Sequence, residues 1–139
     1  MVGLNNCFIV DRIGRGGGLM FLWKDWLDVS VKSFTIGHID AMVREEDNNC
    51  WSFTGFYGEP YQSQKSVSWA FLHRLRGMDR LPWLVVGYFN KIISSGEKSE
   101  RLCKRSSAIE AFREVVDDCG LIDMGFQGSQ FTWTNRRLR

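Results

Sequence analysis

The amino-acid sequence predicts an α/β fold with a largely antiparallel or mixed sheet. In the first two-fifths of the chain, apolar and polar residues alternate with a period of two, as they do along β-strands. Further on, apolar residues recur every three or four positions, as they do on one face of a helix. The 139 residues are enough for one domain with an apolar core, so residues 1–139 are treated as a single domain.

Two apolar runs on either side of a glycine-rich segment predict a β-hairpin. Residues 7–10 and 19–23 are strand-like, and residues 14–18 supply the glycines of the turn. A phosphate-binding loop would need Lys followed by Ser or Thr at the start of a helix, but here the glycines lead into a strand. Three further strands are predicted at residues 29–32, 39–43 and 51–57.

Helical spacing predicts a first helix over residues 67–78, ending near Gly77. Its apolar stripe consists of Val67, Ala70, Phe71, Leu75 and Met78.

A second helix is predicted to begin at Ser107, where Ser107 and Glu110 form a capping-box pattern. Gly120 stands where a left-handed residue ends a helix. The apolar stripe of this helix consists of Ile109, Phe112, Val116 and Cys119. Short strands are predicted at residues 84–86, 121–123 and 131–134.

Composition excludes several classes of protein. A net charge of +2 is too small to indicate nucleic-acid binding through bulk electrostatics. The four cysteines contain no C-x-x-C pair and the two histidines lack metal-ligand spacing, which argues against a zinc module. Neither a secretory-signal pattern nor a membrane-length apolar run is present, so we expect an intracellular protein, nuclear or cytoplasmic, with free thiols and no membrane contact.

Polar side chains at two strand ends are the candidate site. Tyr57 ends one predicted strand, and Asn90 follows another within the segment Gly-Tyr-Phe-Asn. Strand ends of this kind can converge on one rim, although tyrosines near strand ends are also common core residues. Asp117 and Asp118 point about 100° apart on a helix, which favours a solvated face over a metal site. Asp123 is expected to anchor a backbone turn.

Five phrases along nearly the whole chain resemble the endonuclease/exonuclease/phosphatase family. More narrowly, they are similar to the endonuclease domain of plant non-LTR (LINE-type) retrotransposons. The phrases are GGLMFLWK (17–24), HIDAMV (38–43), WSFTGFYGEP (51–60), LPWLVVGYFNKI (81–92) and AFREVVDDCGLIDMGFQGSQFTWTN (111–135).

The resemblance implies a four-layer α/β sandwich, with mixed, mostly antiparallel sheets between outer helices, and we expect this chain to form only part of it, as a single incomplete domain. It also implies Mg²⁺-dependent hydrolysis of phosphodiester bonds, with DNA as the substrate in the retrotransposon branch. Tyr57 would contact the scissile phosphate, and Asn90 would assist the nucleophile and the phosphate oxygens. Residues 131–133 match a strand that forms the floor of the family's site.

The sequence departs from the family pattern where the chemistry matters most. The aspartate of the family's G-D-F-N motif, which orients or activates water, is replaced by Tyr88. A phenol stays protonated at neutral pH and is not an anionic proton acceptor. Lys91 puts a cation where Mg²⁺ would approach. The family's metal-binding Glu and its Ser-Asp-His motif would precede Gly3 and follow Arg139, so we expect this chain to lack both.

The sequence therefore favours a degenerate fragment of a retrotransposon endonuclease that neither binds Mg²⁺ nor cuts DNA. We also expect uncovered apolar faces and marginal stability. The alternative is a residual nucleic-acid-binding or interaction module, with DNA contacts that are weak or absent. The basic residues available to it are Arg74, Arg76, Arg80, Lys98, Arg101, Lys104, Arg105 and the terminal arginines.

Overall fold

A computed structural model describes residues 3–14, 18–58, 65–89, 103–125 and 127, and at residues 65 and 103–108 it describes the backbone alone. These parts of the chain form two β-sheets and two α-helices. In chain order the elements are β1 (Asn6–Val10), β2 (Leu19–Trp23), β3 (Asp28–Thr35), β4 (His38–Arg44), β5 (Cys50–Tyr57), α1 (Lys65–Met78), β6 (Trp83–Tyr88) and α2 (Cys103–Asp118).

The two sheets confirm the predicted mixed, largely antiparallel architecture. Strands β1 and β2 form an antiparallel hairpin, as the glycine-rich segment between them predicts. Gly14 and Gly18, which flank the turn, both have positive φ, a conformation that glycine adopts at little cost. The second sheet has the order β3-β4-β5-β6, in which β6 alone runs parallel to its neighbour. Helix α1 makes the crossover from β5 to β6, as a parallel connection requires.

The hairpin packs on one face of the four-stranded sheet through aromatic contacts. The rings of Phe21 in β2 and Phe53 in β5 are stacked with their centroids 4.5 Å apart. Ala41 of β4 pairs with Phe53, so Ala41 and its alternate neighbours Ile39 and Val43 lie on this face, and all three are buried. Burial of these side chains between the sheets supplies much of the hydrophobic stabilisation.

Both helices pack on the opposite face of the same sheet. Phe56 of β5 lies in a buried cluster with Leu72 of α1 and Val115 of α2, and Cys119 completes it just beyond the end of α2. The described residues thus form a sheet, a second sheet and one outer layer of helices. This arrangement matches the fold class of two mixed sheets with helices outside.

The buried face of α1 coincides only in part with the stripe that helical spacing predicted, which includes Leu75 and Phe71. Val67 and Met78 belong to that stripe but are exposed, and the buried positions are Ser68, Leu72 and Leu75. The buried face lies between the aromatic residues Trp69 and Phe71, which are half-buried. In this orientation the ring of Trp69 packs against Phe112 of α2 and the ring of Phe71 packs against His38 of β4.

The end of α2 is as predicted, but its start is not. Gly120 has a φ of 65°, and the amides of Gly120 and Leu121 donate to the carbonyls of Asp117 and Val116, which is a Schellman cap. The helix begins at Cys103, one turn before Ser107, because no Pro or Gly interrupts residues 103–106.

The predicted strand at residues 121–123 is wrong. The chain there forms no strand, because Leu121 is held in the cap of α2, while Asp123 accepts a hydrogen bond from the Gly125 amide at 2.8 Å. The turn-anchoring role expected of Asp123 is therefore confirmed. The predicted strand at residues 131–134 lies outside the described residues.

Candidate functional site

The candidate site lies where β5 and β6 end side by side. These two strands are parallel, so their carboxyl ends meet at one edge of the sheet, and the register pairs Tyr57 with Tyr88. The Gly58 amide donates to the Tyr88 carbonyl at 2.8 Å, which extends the pairing one residue beyond the strands. The Tyr57 amide donates to the Gly37 carbonyl of the β3–β4 turn, also at 2.8 Å. The two tyrosines therefore sit on a backbone that is held from both sides.

Two glycines allow these strand ends to approach closely. A Cβ atom on Gly87 would lie 1.7 Å from the carbonyl oxygen of Phe56, which is far inside any van der Waals contact. A Cβ atom on Gly58 would lie 2.8 Å from the carbonyl oxygen of Phe89. The geometry of the edge thus requires glycine at position 87, the residue immediately before Tyr88.

The side chains of Tyr57 and Tyr88 form a pair of exposed aromatic rings. Their centroids are 6.1 Å apart and their planes are inclined by 30°. Tyr57 is 37% exposed and Tyr88 is 63% exposed, so solvent reaches both rings. The prediction from the sequence was that Tyr57 and Asn90 lie near a common point, and it stays a prediction. Asn90, the other residue assigned to the site, lies outside the described residues, as do Lys91 and residues 131–133.

His38 lies at the same edge, at the start of β4, and nothing in the sequence pattern indicated its environment. Its side chain is only 3% exposed. Nδ1 lies 2.8 Å from the Thr35 hydroxyl, Nε2 lies 3.0 Å from the Ser33 hydroxyl, and the ring packs 4.2 Å from that of Phe71 in α1. Burial lowers the pKa of His38 to about 4, so the imidazole is neutral at physiological pH. A neutral, enclosed imidazole supports the β3–β4 turn that holds Tyr57.

A network of polar side chains lies on the helix-facing side of the sheet. The Thr54 hydroxyl donates to Asp40 Oδ1 at 2.7 Å and accepts from Trp83 Nε1 at 2.8 Å, which links β4, β5 and β6. Asp79 accepts from the Ser52 hydroxyl at 2.9 Å. Burial raises the pKa of the Asp40 carboxyl, and the bond from Thr54 opposes this shift only in part. These groups satisfy one another and hold the strands in register.

The described part of the site does not fit a magnesium ion. Mg²⁺ binds carboxylate and other oxygen ligands, whereas the ends of β5 and β6 present two phenols. Within the described ranges, no three His, Cys, Asp or Glu side chains are grouped closely enough to hold a metal. We therefore assign no catalytic step to a metal at these residues.

The structure also bears on a membrane location. In the part of the chain that the structure describes, neither helix has the length and apolar character needed to span a bilayer.

No protein-family profile matches the chain, and no curated protein does. Among solved structures, the fold is similar to the "Endonuclease domain of TRAS1, a telomere-specific non-LTR retrotransposon", with a TM-score of 0.61 and 18% sequence identity. The match covers 83% of this chain and 52% of that chain, so this chain spans about half the length of that domain. The similarity shows an endonuclease-like fold.

Proposed function

We propose that this chain is a degenerate relative of a retrotransposon-encoded DNA endonuclease, of the plant LINE type, that does not cleave phosphodiester bonds. The observation that carries the proposal is Tyr88, which occupies the strand end where the related sequences have a water-activating aspartate. Its ring is exposed beside Tyr57, and the described residues at these two strand ends, 57–58 and 88–89, include no carboxylate. Loss of a general base alone lowers a rate by about 10²- to 10⁴-fold.

The fold similarity supports the ancestry in this proposal, because the solved neighbour is an endonuclease domain of a non-LTR retrotransposon. The phrases quoted from the sequence support the narrower assignment to the plant branch. The absence of activity is supported by the chemistry of a phenol, which cannot accept a proton as a carboxylate does.

A supercoiled-plasmid nicking assay with Mg²⁺ tests the proposal on the full chain. We expect no nicking above buffer by the natural sequence. We also expect none from Tyr88→Asp, because one restored carboxylate is too few to hold a metal ion. Robust nicking that Asn90→Ala abolishes would contradict the proposal, since a contaminating nuclease would not respond to that substitution.

A second candidate function, residual binding of single-stranded nucleic acid, is favoured by the exposed pair Tyr57 and Tyr88. Exposed aromatic rings are platforms on which bases stack without sequence preference. If this function holds, Tyr88→Ala weakens binding of a single-stranded oligonucleotide at low salt by about 5-fold or more, while Tyr88→Phe keeps the ring and the affinity. A gel shift measures both variants. Equal affinities for Tyr88→Ala and the natural sequence would exclude stacking on this pair.

A further inference from the structure

A surface cleft lies at the opposite end of the sheet from Tyr57 and Tyr88. Strand β6 begins there at Trp83, close to the carboxyl ends of both helices. The cleft has a volume of about 350 Å³, and its lining includes Arg76, Arg80, Pro82, Trp83, Cys119 and Leu121. This volume is near the lower end of the range for small-molecule sites, about 300–1,000 Å³.

Neither arginine of the cleft has an ion-pair partner among the described residues. The carboxylates found close to a basic side chain there are Asp28, beside Arg44, and Asp118, beside His73. Neither carboxylate is within ion-pair distance of Arg76 or Arg80.

The carboxylates closest in sequence to the residues of the cleft have other neighbours. Asp79 accepts hydrogen bonds from the Ser52 hydroxyl and the Leu81 amide, and Asp118 faces His73. Two guanidinium groups are therefore available to an anionic ligand from solution.

The rest of the lining is apolar and held in place. Trp83 is half-buried, and its indole nitrogen donates to the Thr54 hydroxyl, which fixes the ring. Leu121 is fixed by the cap of α2, because its backbone amide donates a hydrogen bond to the Val116 carbonyl. Cys119 is buried, and its thiol faces the ring of His73 at 3.9 Å. Burial raises the pKa of the Cys119 thiol and Asp118 adds to this effect, so the cleft presents a neutral thiol rather than a competing anion.

We propose that this cleft binds a small phosphate-bearing ligand of mononucleotide size, independently of the function proposed above. A phosphomonoester carries a charge of about −1.5 to −2 at neutral pH. The combined charge of two arginines is therefore balanced better by a phosphomonoester than by a carboxylate, which carries a single negative charge. The planar, forked guanidinium donors suit phosphate oxygens in geometry as well as in charge. The apolar lining at Pro82, Trp83 and Leu121 accommodates the non-phosphate part of the ligand.

The test is a titration of the full chain with adenosine 5′-monophosphate, followed by amide and indole NMR shifts. We expect saturable shifts at the Trp83 indole and at the amides of Gly120 and Leu121, with a Kd of about 1 mM or below. Arg76→Gln and Arg80→Gln should each weaken binding by about 10-fold. The matched control is Arg74→Gln, which removes another exposed arginine of α1, the helix that contains Arg76. Arg74 lies outside the cleft.

Further titrations separate the parts of the ligand. Adenosine and inorganic phosphate should each bind more weakly than the nucleotide, because each occupies only part of the cleft. No saturation by about 10 mM nucleotide would overturn the proposal. Equal loss of affinity in Arg74→Gln would overturn it too, since general charge attraction would then explain the binding. If adenosine bound as tightly as the nucleotide, the arginines would have no role in binding. If inorganic phosphate bound as tightly as the nucleotide, the apolar lining would have no role.

Discussion

Tyr88 places a second exposed ring beside Tyr57 at the end of its strand. In the proposed function, its phenol stands where a proton-accepting carboxylate would be. The close approach of the two strands depends on a different residue, because Gly87 lies against the carbonyl of Phe56. The shape of this strand end therefore depends on Gly87, whereas the group that it presents to solvent is the phenol of Tyr88.

His38 makes folding stability depend on pH. Its pKa is about 4 in the folded protein and 6.5 in the reference state, so between these values the unfolded chain binds a proton that the folded chain does not. Stability is therefore full above about pH 6.5 and falls as pH drops toward 4. The total loss is on the order of 3 kcal/mol.

Urea unfolding at about pH 7 and about pH 5 measures this effect. His38→Gln should flatten the pH dependence, because it removes the buried imidazole. Equal pH dependence in the natural sequence and His38→Gln would show that another group is responsible.

The parallel pairing of β5 with β6 is the element on which the candidate site depends. Its register places the two tyrosines side by side. The Thr54 hydroxyl of β5 forms hydrogen bonds with Asp40 of β4 and with Trp83 of β6, which links the three strands. The sequence pattern predicted both strands, because each is a short run of mainly apolar residues. It did not predict their partners, because the pairing of distant segments is decided by packing rather than by local sequence.

Gly87→Ala should disrupt this pairing. The added methyl group would lie 1.7 Å from a backbone carbonyl oxygen, which the strand can relieve only by moving away from β5. We expect a loss of about 3 kcal/mol or more in the free energy of unfolding. The matched control is Gly77→Ala near the end of α1, where nothing lies within 4 Å of the new atom. That substitution should stabilise the helix by up to about 1 kcal/mol.

Denaturant unfolding compares the two alanine variants directly. Similar stabilities for Gly87→Ala and the natural sequence would mean that β6 does not approach β5 as closely as described. A loss of stability in Gly77→Ala would mean that its position in α1 is not regular helix.

At the scale of the whole molecule, the hairpin of β1 and β2 leaves one face uncovered in the described structure. Its inner face packs on the four-stranded sheet, while on its outer face Ile9 pairs across the strands with Met20 and both are exposed. Leu22 is exposed on the same outer face, opposite Cys7. A contiguous apolar surface of this kind favours association, in line with the uncovered faces expected from the sequence.

Ile9→Thr combined with Met20→Thr should reduce this self-association. Threonine keeps a high β-propensity, so the strands are retained while the apolar surface is lost. Light scattering as a function of protein concentration should show a lower apparent mass for the double variant. Ile122→Thr, which changes an exposed residue outside the hairpin, is the control and should have no effect. A natural sequence that stays monomeric at all concentrations would contradict the prediction.

Helices and strands could be predicted from the sequence, because periodicity and end signals act locally. It predicted the hairpin, the strands of the second sheet, the helices and the glycine that ends α2. It erred where local signals compete, as at residues 121–123, where two apolar residues read as a strand and Leu121 is instead part of a helix cap.

Which of these elements pack together became known from the three-dimensional fold. The contact of Tyr57 with Tyr88, the burial of His38 beneath Phe71 and the cleft with Arg76 and Arg80 all join residues that are distant in sequence. The buried face of α1 is of the same kind, because it depends on the sheet that the helix covers. Such features follow from the largest burial of apolar surface over the whole chain, a condition that no single segment can express.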